Sequence, residues 1–436
     1  MSVKQIALTI NLFFLSIAQI LLAGDTNFLP IFGGRTFARN GLYFAGSDGL
    51  ASAVANPATL IYGDERLVQF TLIDRAGRQE LDSPSDGLFR SFRSNDFAFA
   101  GGALWRVSDN LAAGLTYYRA ADYRVDWPFA MFRERPGSSV VLVFELVNQL
   151  RIDAIAPVVA YKFGKLALGV TLNIYRFDHR LAFPIANAAW LQGRGQSAYQ
   201  FVYDQDAWTY APNIGTSFDL SGKLRLAATL RIGYSGDLEG TALSNMFADT
   251  ALFNPAAPSQ VVVSSEFNTP WSLGAGIAYK LSERSEFNFD VMYNLWSGRQ
   301  SGMQFEFGND TWQNGLATLD TVTGFNGRHF SLNYDNTLDI GIGYEYAPPE
   351  GLTYRAGYRF SKSPNSAETY SLLFPGVHQH WFTAGFGYQS GRFTLDAALA
   401  YAIGQSRQID LPASGMSAGT YNSNVILPVA SIRYRL

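Results

Sequence analysis

Cysteine is absent from the 436 residues, which excludes disulfides, thiolate nucleophiles and cysteine-based metal sites. Histidine is scarce: only His179, His329, His378 and His380 occur. His378 and His380 are spaced to share a metal, but they read better as ordinary loop residues. Charge is thin as well. Asp, Glu, Lys and Arg form 16% of the chain, against about 25% in ordinary soluble domains. The net charge of −3 leaves no basic excess for nucleic acid. No His-Glu-x-x-His and no phosphate-binding loop occur, so the chain reads as a non-enzyme without cofactor or metal. After the N-terminus, no apolar run reaches the ~18 residues that a spanning helix needs.

What is present is aromatic and small: 15% Phe, Trp and Tyr, and 41 glycines. A chain poor in charge and rich in aromatics, with mean hydropathy near zero, fits a transmembrane β-barrel, whose alternate residues face lipid and lumen. The first residues read as an export signal over 1–24: Lys4, then an apolar stretch from Ile6 to Leu22, then Ala23 and Gly24. A retained N-terminal anchor is the alternative.

From Arg66 onward the dominant period is two. Leu166, Leu168, Val170, Leu172 and Ile174 share one face; Ala167, Gly169, Thr171 and Asn173 share the other. Trp271, Leu273, Ala275, Ile277 and Tyr279 alternate with Ser272, Gly274, Gly276, Ala278 and Lys280 in the same way. Each run lasts about ten residues, enough for a tilted strand to cross a bilayer. Short turns, such as Gly164-Lys165, Ser221-Gly222 and Ser390-Gly391, alternate with long connections. The count is about fourteen antiparallel strands over 66–436, with both termini periplasmic. Tyr117, Tyr118, Trp208, Tyr210 and Trp296 are expected as interfacial girdles, and the alternating Ile432 to Leu436 as an assembly signal. A soluble sandwich or propeller would not give that alternation of connections.

Residues 25–65 do not read as strand. A short helix is expected over 48–55, ending at Asn56 because Pro57 disfavours helical geometry in the residue before it. Small residues suit a plug, or hatch, folded into the lumen; a periplasmic tail is the alternative. The run from Gly41 through Asn56, Pro57 and Ala58, the stretch 269–279 and the stretch 352–364 together resemble the long-chain fatty-acid and aromatic-hydrocarbon outer-membrane transporters (FadL/TodX/OMPP1 type). That resemblance implies a fourteen-stranded barrel with an N-terminal hatch carrying Asn56-Pro57-Ala58. It also implies passive uptake of apolar molecules through hatch rearrangement and lateral release at a kinked third strand. Here that strand is 111–123, and Gly114 is its candidate gate glycine.

The physics agrees with lateral release: each CH₂ removed from water is worth about 0.8 kcal/mol, so release into water would be the hard step. Candidate capture residues in the long loops are Trp127, Phe129, Phe132, Trp190, Phe247 and Phe253; packing of the loops against one another is the alternative. Candidate cations for a carboxylate head are Arg225, Arg231, Arg355 and Arg359. Their alternative is pairing with Asp219, Asp290, Asp339 or Asp396. A general porin for polar solutes and a loop-mediated adhesin are the rival functions. Expected partners are the hydrophobic ligand, outer-membrane lipid and lipopolysaccharide, and the barrel-assembly machinery, with the chain working as a monomer.

Overall fold

The computed structural model describes residues 32–436 apart from 65, 85–86, 93, 136–137, 187–197, 249–256, 317–327 and 411–417, and apart from the side chains of 94–96, 129–143, 186 and 198. Fourteen antiparallel strands form one closed barrel. In chain order they are β1 (Arg66–Ser83), β2 (Ser94–Ser108), β3 (Leu111–Arg135), β4 (Ser138–Phe163), β5 (Leu166–Ala186) and β6 (Ala198–Asp219). Then come β7 in two arms (Leu224–Arg231, Ser235–Leu243), β8 in two arms (Gln260–Asn268, Trp271–Ser282) and β9 (Ser285–Leu295). The last five are β10 (Thr337–Tyr346), β11 (Leu352–Ser361), β12 (Gln379–Ser390), β13 (Phe393–Gly404) and β14 (Gly419–Arg435). Pairing of β14 with β1, from Leu67↔Arg435 to Asp82↔Thr420, closes the cylinder and leaves no edge.

The period-two pattern explains which face points where. Leu168, Val170 and Leu172 are each more than 40% exposed on the outside, while Ala167, Gly169, Thr171 and Asn173 are buried inside. That places apolar side chains against lipid and small or polar ones against the lumen. No helix among the described residues is long and apolar enough to cross a membrane.

Three expectations change. The connections after β3 and β5 are not loops from the bilayer outward: both strands continue far beyond a membrane's thickness, paired through Arg135↔Ser138 and Ala186↔Ala198. The long connections are largely hairpin extensions, because alternation persists past the bilayer and a ladder satisfies the backbone there. Second, Tyr118 and Trp296 are not girdle residues. Both are buried, Tyr118 donating to Asn173 Oδ1 (2.8 Å) and Trp296 packed on Tyr334. Trp208 and Tyr210 do stand outside, 60% and 74% exposed. Third, two strands are broken. Gly233 and Pro270 sit where β7 and β8 divide, and proline lacks the donor that a continuous ladder would need.

The hatch lies inside. It comprises α1 (Gly34–Ala38), a 3-10 turn (Gly49–Ala51), α2 (Ser52–Ala55) and a second 3-10 turn (Pro57–Tyr62). The expected helix is therefore present as a 3-10 turn running into α2, and Asn56 is extended (φ −151°, ψ 106°) as its proline neighbour requires. Asp48 does not cap it; its Oδ2 accepts instead from Thr36 N and Oγ1, both 2.8 Å. The signal-like segment lies outside the described residues.

Candidate ligand channel

Asn56 fixes the hatch to the wall. Its Oδ1 accepts from Ala58 N (3.1 Å), and its Nδ2 donates to the carbonyls of Phe44 and Thr216, both 3.0 Å. Pro57 opens the second 3-10 turn, where a missing N–H is harmless. The wall makes room with glycine: a Cβ at Gly215 would lie 1.9 Å from Asn56 Oδ1, and one at Gly169 would lie 2.4 Å from Pro57 C. The Asn-Pro-Ala motif and these two wall glycines are therefore one fitted contact.

On the side of β9 to β14 the hatch is held by charge. Arg35 pairs with Glu345 (2.6 Å) and Arg39 with Glu286 (2.9 Å). Arg355 bridges Glu345 (2.6 Å) and Asp396 (2.7 Å), and Arg433 joins Asp396 (2.5 Å) to Asp48 of the hatch (3.4 Å). Tyr43 lies under the Arg39 guanidinium, 4.0 Å from it, and donates to Glu286 (2.7 Å). Burial pushes its phenol well above the usual range, which keeps it a donor.

On the side of β5 to β7 the contacts are mostly neutral. Thr171 Oγ1 donates to Ala53 O (2.8 Å), and Asn213 Nδ2 and Arg231 Nη2 both donate to Val54 O (3.1 Å each). Beside them a cavity of about 90 Å³ reaches from Val54 and Ala120–Ala121 to Arg231, Ile232, Trp296, Asp339 and Lys362. The breaks in β7 and β8 border it through Tyr234, Thr269 and Pro270.

The wall next to this cavity is incompletely sealed. Pairing of β2 with β3 runs only from Ser108↔Leu111 to Gly101↔Tyr117. Beyond it, β2 pairs with β1 alone and β3 with β4 alone, and a bulge at Ala120 shifts the β3–β4 register. Past this stretch, Phe92, in the connection before β2, donates its N–H to Asp126 O of β3 (2.7 Å). Arg75 of β1 reaches the free carbonyl of Asp122 inside this opening. Gly114 is not at the opening; it pairs with Leu104 in the intact ladder and packs under Leu50 of the hatch.

The structure separates the four candidate arginines. Arg225 pairs with Asp219 (2.7 Å) and covers the Tyr62 ring near the periplasmic turns. Arg355 belongs to the hatch network, and Arg359 holds Asn40 O (3.0 Å) beside Trp381. Only Arg231 of the four borders the cavity. Lys362 lies there too, a residue inside the quoted 352–364 stretch whose role no local pattern marked. Of the loop candidates, Trp127 is buried with its indole N–H on Leu372 O (2.7 Å), and Phe247 is buried against Trp312 (4.6 Å). Trp127 thus packs the β3 extension against the connection after β11, and Phe247 packs loop to loop. The side chains of Phe129 and Phe132, and all of Trp190 and Phe253, lie outside the described residues. Gly415-Met-Ser-Ala-Gly419 fits the bare Gly-x-Ser-x-Gly pattern; 415–417 lie outside the described residues, and Gly419 opens β14, where that pattern needs a helix to follow.

A closed fourteen-stranded barrel stoppered by its own N-terminal segment defines a class of outer-membrane channel. The family model described as outer membrane protein transport protein (OMPP1/FadL/TodX) matches residues 34–435, and the chain belongs to that family, in the outer membrane. It is 23% identical over 209 residues to the long-chain fatty acid transport protein of Escherichia coli strain K12, a match covering 47% of this chain and 44% of that one. The chain thus spans less than half the length of that relative in the match. In fold it resembles a Pseudomonas aeruginosa FadL homologue (TM-score 0.75, 14% identity, 94% of this chain and 99% of that one). It also resembles the P. putida toluene transporter TodX (TM-score 0.71, 16% identity, 94% and 99%).

Proposed function

We propose that this protein carries hydrophobic small molecules, long-chain fatty acids or similar compounds, across the outer membrane by passive diffusion; its relatives are named as transporters of a long-chain fatty acid and of toluene. The observation that carries this reading is the cavity beside the hatch, which reaches the stretch of β3 that has no ladder to β2, at Tyr118, Ala120 and Ala121. A ligand leaving sideways there passes from an enclosed site to lipid without losing the ~0.8 kcal/mol per CH₂ that water would cost. Phe97 and Phe99, 65% and 52% exposed beside the opening, face the acyl region. In this reading, residues 1–24 are removed on export, 25–65 form the hatch and 66–436 form a monomeric barrel. The hatch shifts when ligand enters; lipopolysaccharide and phospholipid surround the wall, and the assembly machinery inserts it.

The test is to fill the opening. Ala120→Trp, in cells lacking other such transporters, should lower uptake of labelled hexadecanoate at least about ten-fold, a barrier rise of roughly 1.4 kcal/mol. Surface quantity and heat-modifiable migration of the barrel should stay unchanged. Undiminished uptake by a correctly inserted variant would refute exit at this opening.

A further inference from the structure

A cavity lies on each side of the hatch, and three strands show this residue by residue. On β6, Asn213 lines the cavity described above, Gly215 lies against Asn56, and Asp219 lines a second cavity beyond it. On β7 the order is Arg231, then Ala227 packed with Phe44 and Ala45 of the hatch, then Arg225. On β8 it is Ser272, then Gly274 and Gly276 against Phe44, then Lys280. The second cavity, of about 320 Å³, therefore opens on the periplasmic side, among the short turns at Lys165 and Gly222.

Five cations line it, Lys162, Lys165, Lys223, Arg225 and Lys280, against two acids. Both acids are already engaged. Asp219 accepts from Arg225 Nε (2.7 Å), Lys162 Nζ (3.0 Å) and the Tyr62 hydroxyl (3.1 Å). Glu286 faces Lys280 across the β8–β9 ladder, yet it accepts instead from Arg39 Nη1 (2.9 Å) and the Tyr43 hydroxyl (2.7 Å) of the hatch. Lys165, Lys223 and Lys280 are left without an ion pair among the described residues. Lys223 and Lys280 are also neighbours one step beyond the Leu224↔Tyr279 rung, with Lys280 N donating to Lys223 O (2.8 Å). Like charges opposite one another on adjacent strands are destabilising.

We infer that this periplasmic cavity is a phosphate site, taking the phosphate of an inner-leaflet phospholipid or of a soluble phosphate ester. A phosphate presents acceptor oxygens on every side, and three ammonium groups on flexible stems close on it as point charges. It relieves the repulsion between Lys223 and Lys280 while leaving Asp219 and Glu286 with the partners they hold. The outer face of the same turns favours the lipid source: Phe163, Leu220 and Leu281 are exposed there, where acyl chains run. The site lies across the hatch from the ligand channel and does not rest on the transport reading.

The experiment uses the purified full barrel in a non-ionic detergent. Native mass spectrometry with dioleoylphosphatidylglycerol, and with dioleoylglycerol as its phosphate-free counterpart, should show one phospholipid retained per barrel and no diacylglycerol. For the soluble source, a nitroxide on Gly222→Cys, in a chain with no other cysteine, should broaden the phosphorus NMR line of glycerol phosphate; a Cβ at Gly222 meets nothing within 4 Å. Lys165→Gln, Lys223→Gln and Lys280→Gln together should weaken binding at least about ten-fold, through loss of charge-assisted contacts. The corresponding three Lys→Arg changes should keep it. Binding of the phospholipid alone names lipid as the source, and binding of glycerol phosphate alone names the soluble ester. Binding of neither, equal retention of the diacylglycerol, or undiminished binding in the triple Gln variant would overturn the inference.

Discussion

The two flanks of the hatch are held by different chemistry. Against β9 to β14, Arg35, Arg39 and Asp48 enter a continuous run of buried charges that ends in Glu345, Asp396 and Arg433. Against β5 to β7, single hydrogen bonds from Thr171, Asn213 and Arg231 reach the carbonyls of Ala53 and Val54. Removing one member of a buried ion pair costs about 3–5 kcal/mol, because its partner stays behind uncompensated. A neutral hydrogen bond contributes about 1 kcal/mol net. The difference teaches where the hatch is held hardest: by ion pairs against β9 to β14 and by single hydrogen bonds on the side that borders the cavity, so in the proposed rearrangement the cavity side yields first.

That contrast can be broken in graded steps. Asp396→Ala removes the carboxylate shared by Arg355 and Arg433, leaving Arg355 only Glu345 and Arg433 only Asp48, so urea unfolding should show a loss of about 3 kcal/mol; a change below about 1 kcal/mol would mean that the network is not a structural bolt. Asn56→Ala removes the contacts to Phe44, Ala58 and Thr216 and should destabilise by about 2–3 kcal/mol, from three bonds of roughly 1 kcal/mol each. Planar-bilayer recordings should then show more frequent openings to small ions, and a current equal to wild type would place the anchor elsewhere. Thr171→Val deletes one neutral bond: about 1 kcal/mol in unfolding, with no steady conductance. In the cysteine-free chain, a Val54→Cys probe should react faster with a maleimide once Thr171→Val is added, which sharpens the claim that this flank yields first.

How legible all this was depends on how local the signal is. The strands were readable because side-chain alternation is written residue by residue, as in Leu166 to Ile174, and the turns because Gly164-Lys165 and Ser390-Gly391 carry their own chemistry. The hatch helix was readable from Pro57. The length of β3 and β5 was not, since a long polar hairpin and a long loop share a composition. The wall opening was not either: it follows from where the β2–β3 ladder stops and from one extra residue at Ala120, a matter of register between strands rather than of residue type. Gly114 drew attention as a kink former, yet its missing side chain serves close packing against Ala103, Val158 and Leu50. The arginines were equally opaque. Arg225 and Arg231 alternate on one strand and face one lumen, and only partners supplied from elsewhere, Asp219 for one and Val54 for the other, set them apart. The break at Pro270 was the one distant feature with a local mark.

The bond between Phe92 and Asp126 has a further consequence. It keeps the register of the last rung at Gly101↔Tyr117, with eight residues between on each side, so a backbone bond ties the slit at its far end as the ladder does at its near one. In the proposed exit, such a slot would sort by silhouette: a slender, flexible chain would slide out broadside, whereas a bulky fused-ring molecule would meet a tied frame.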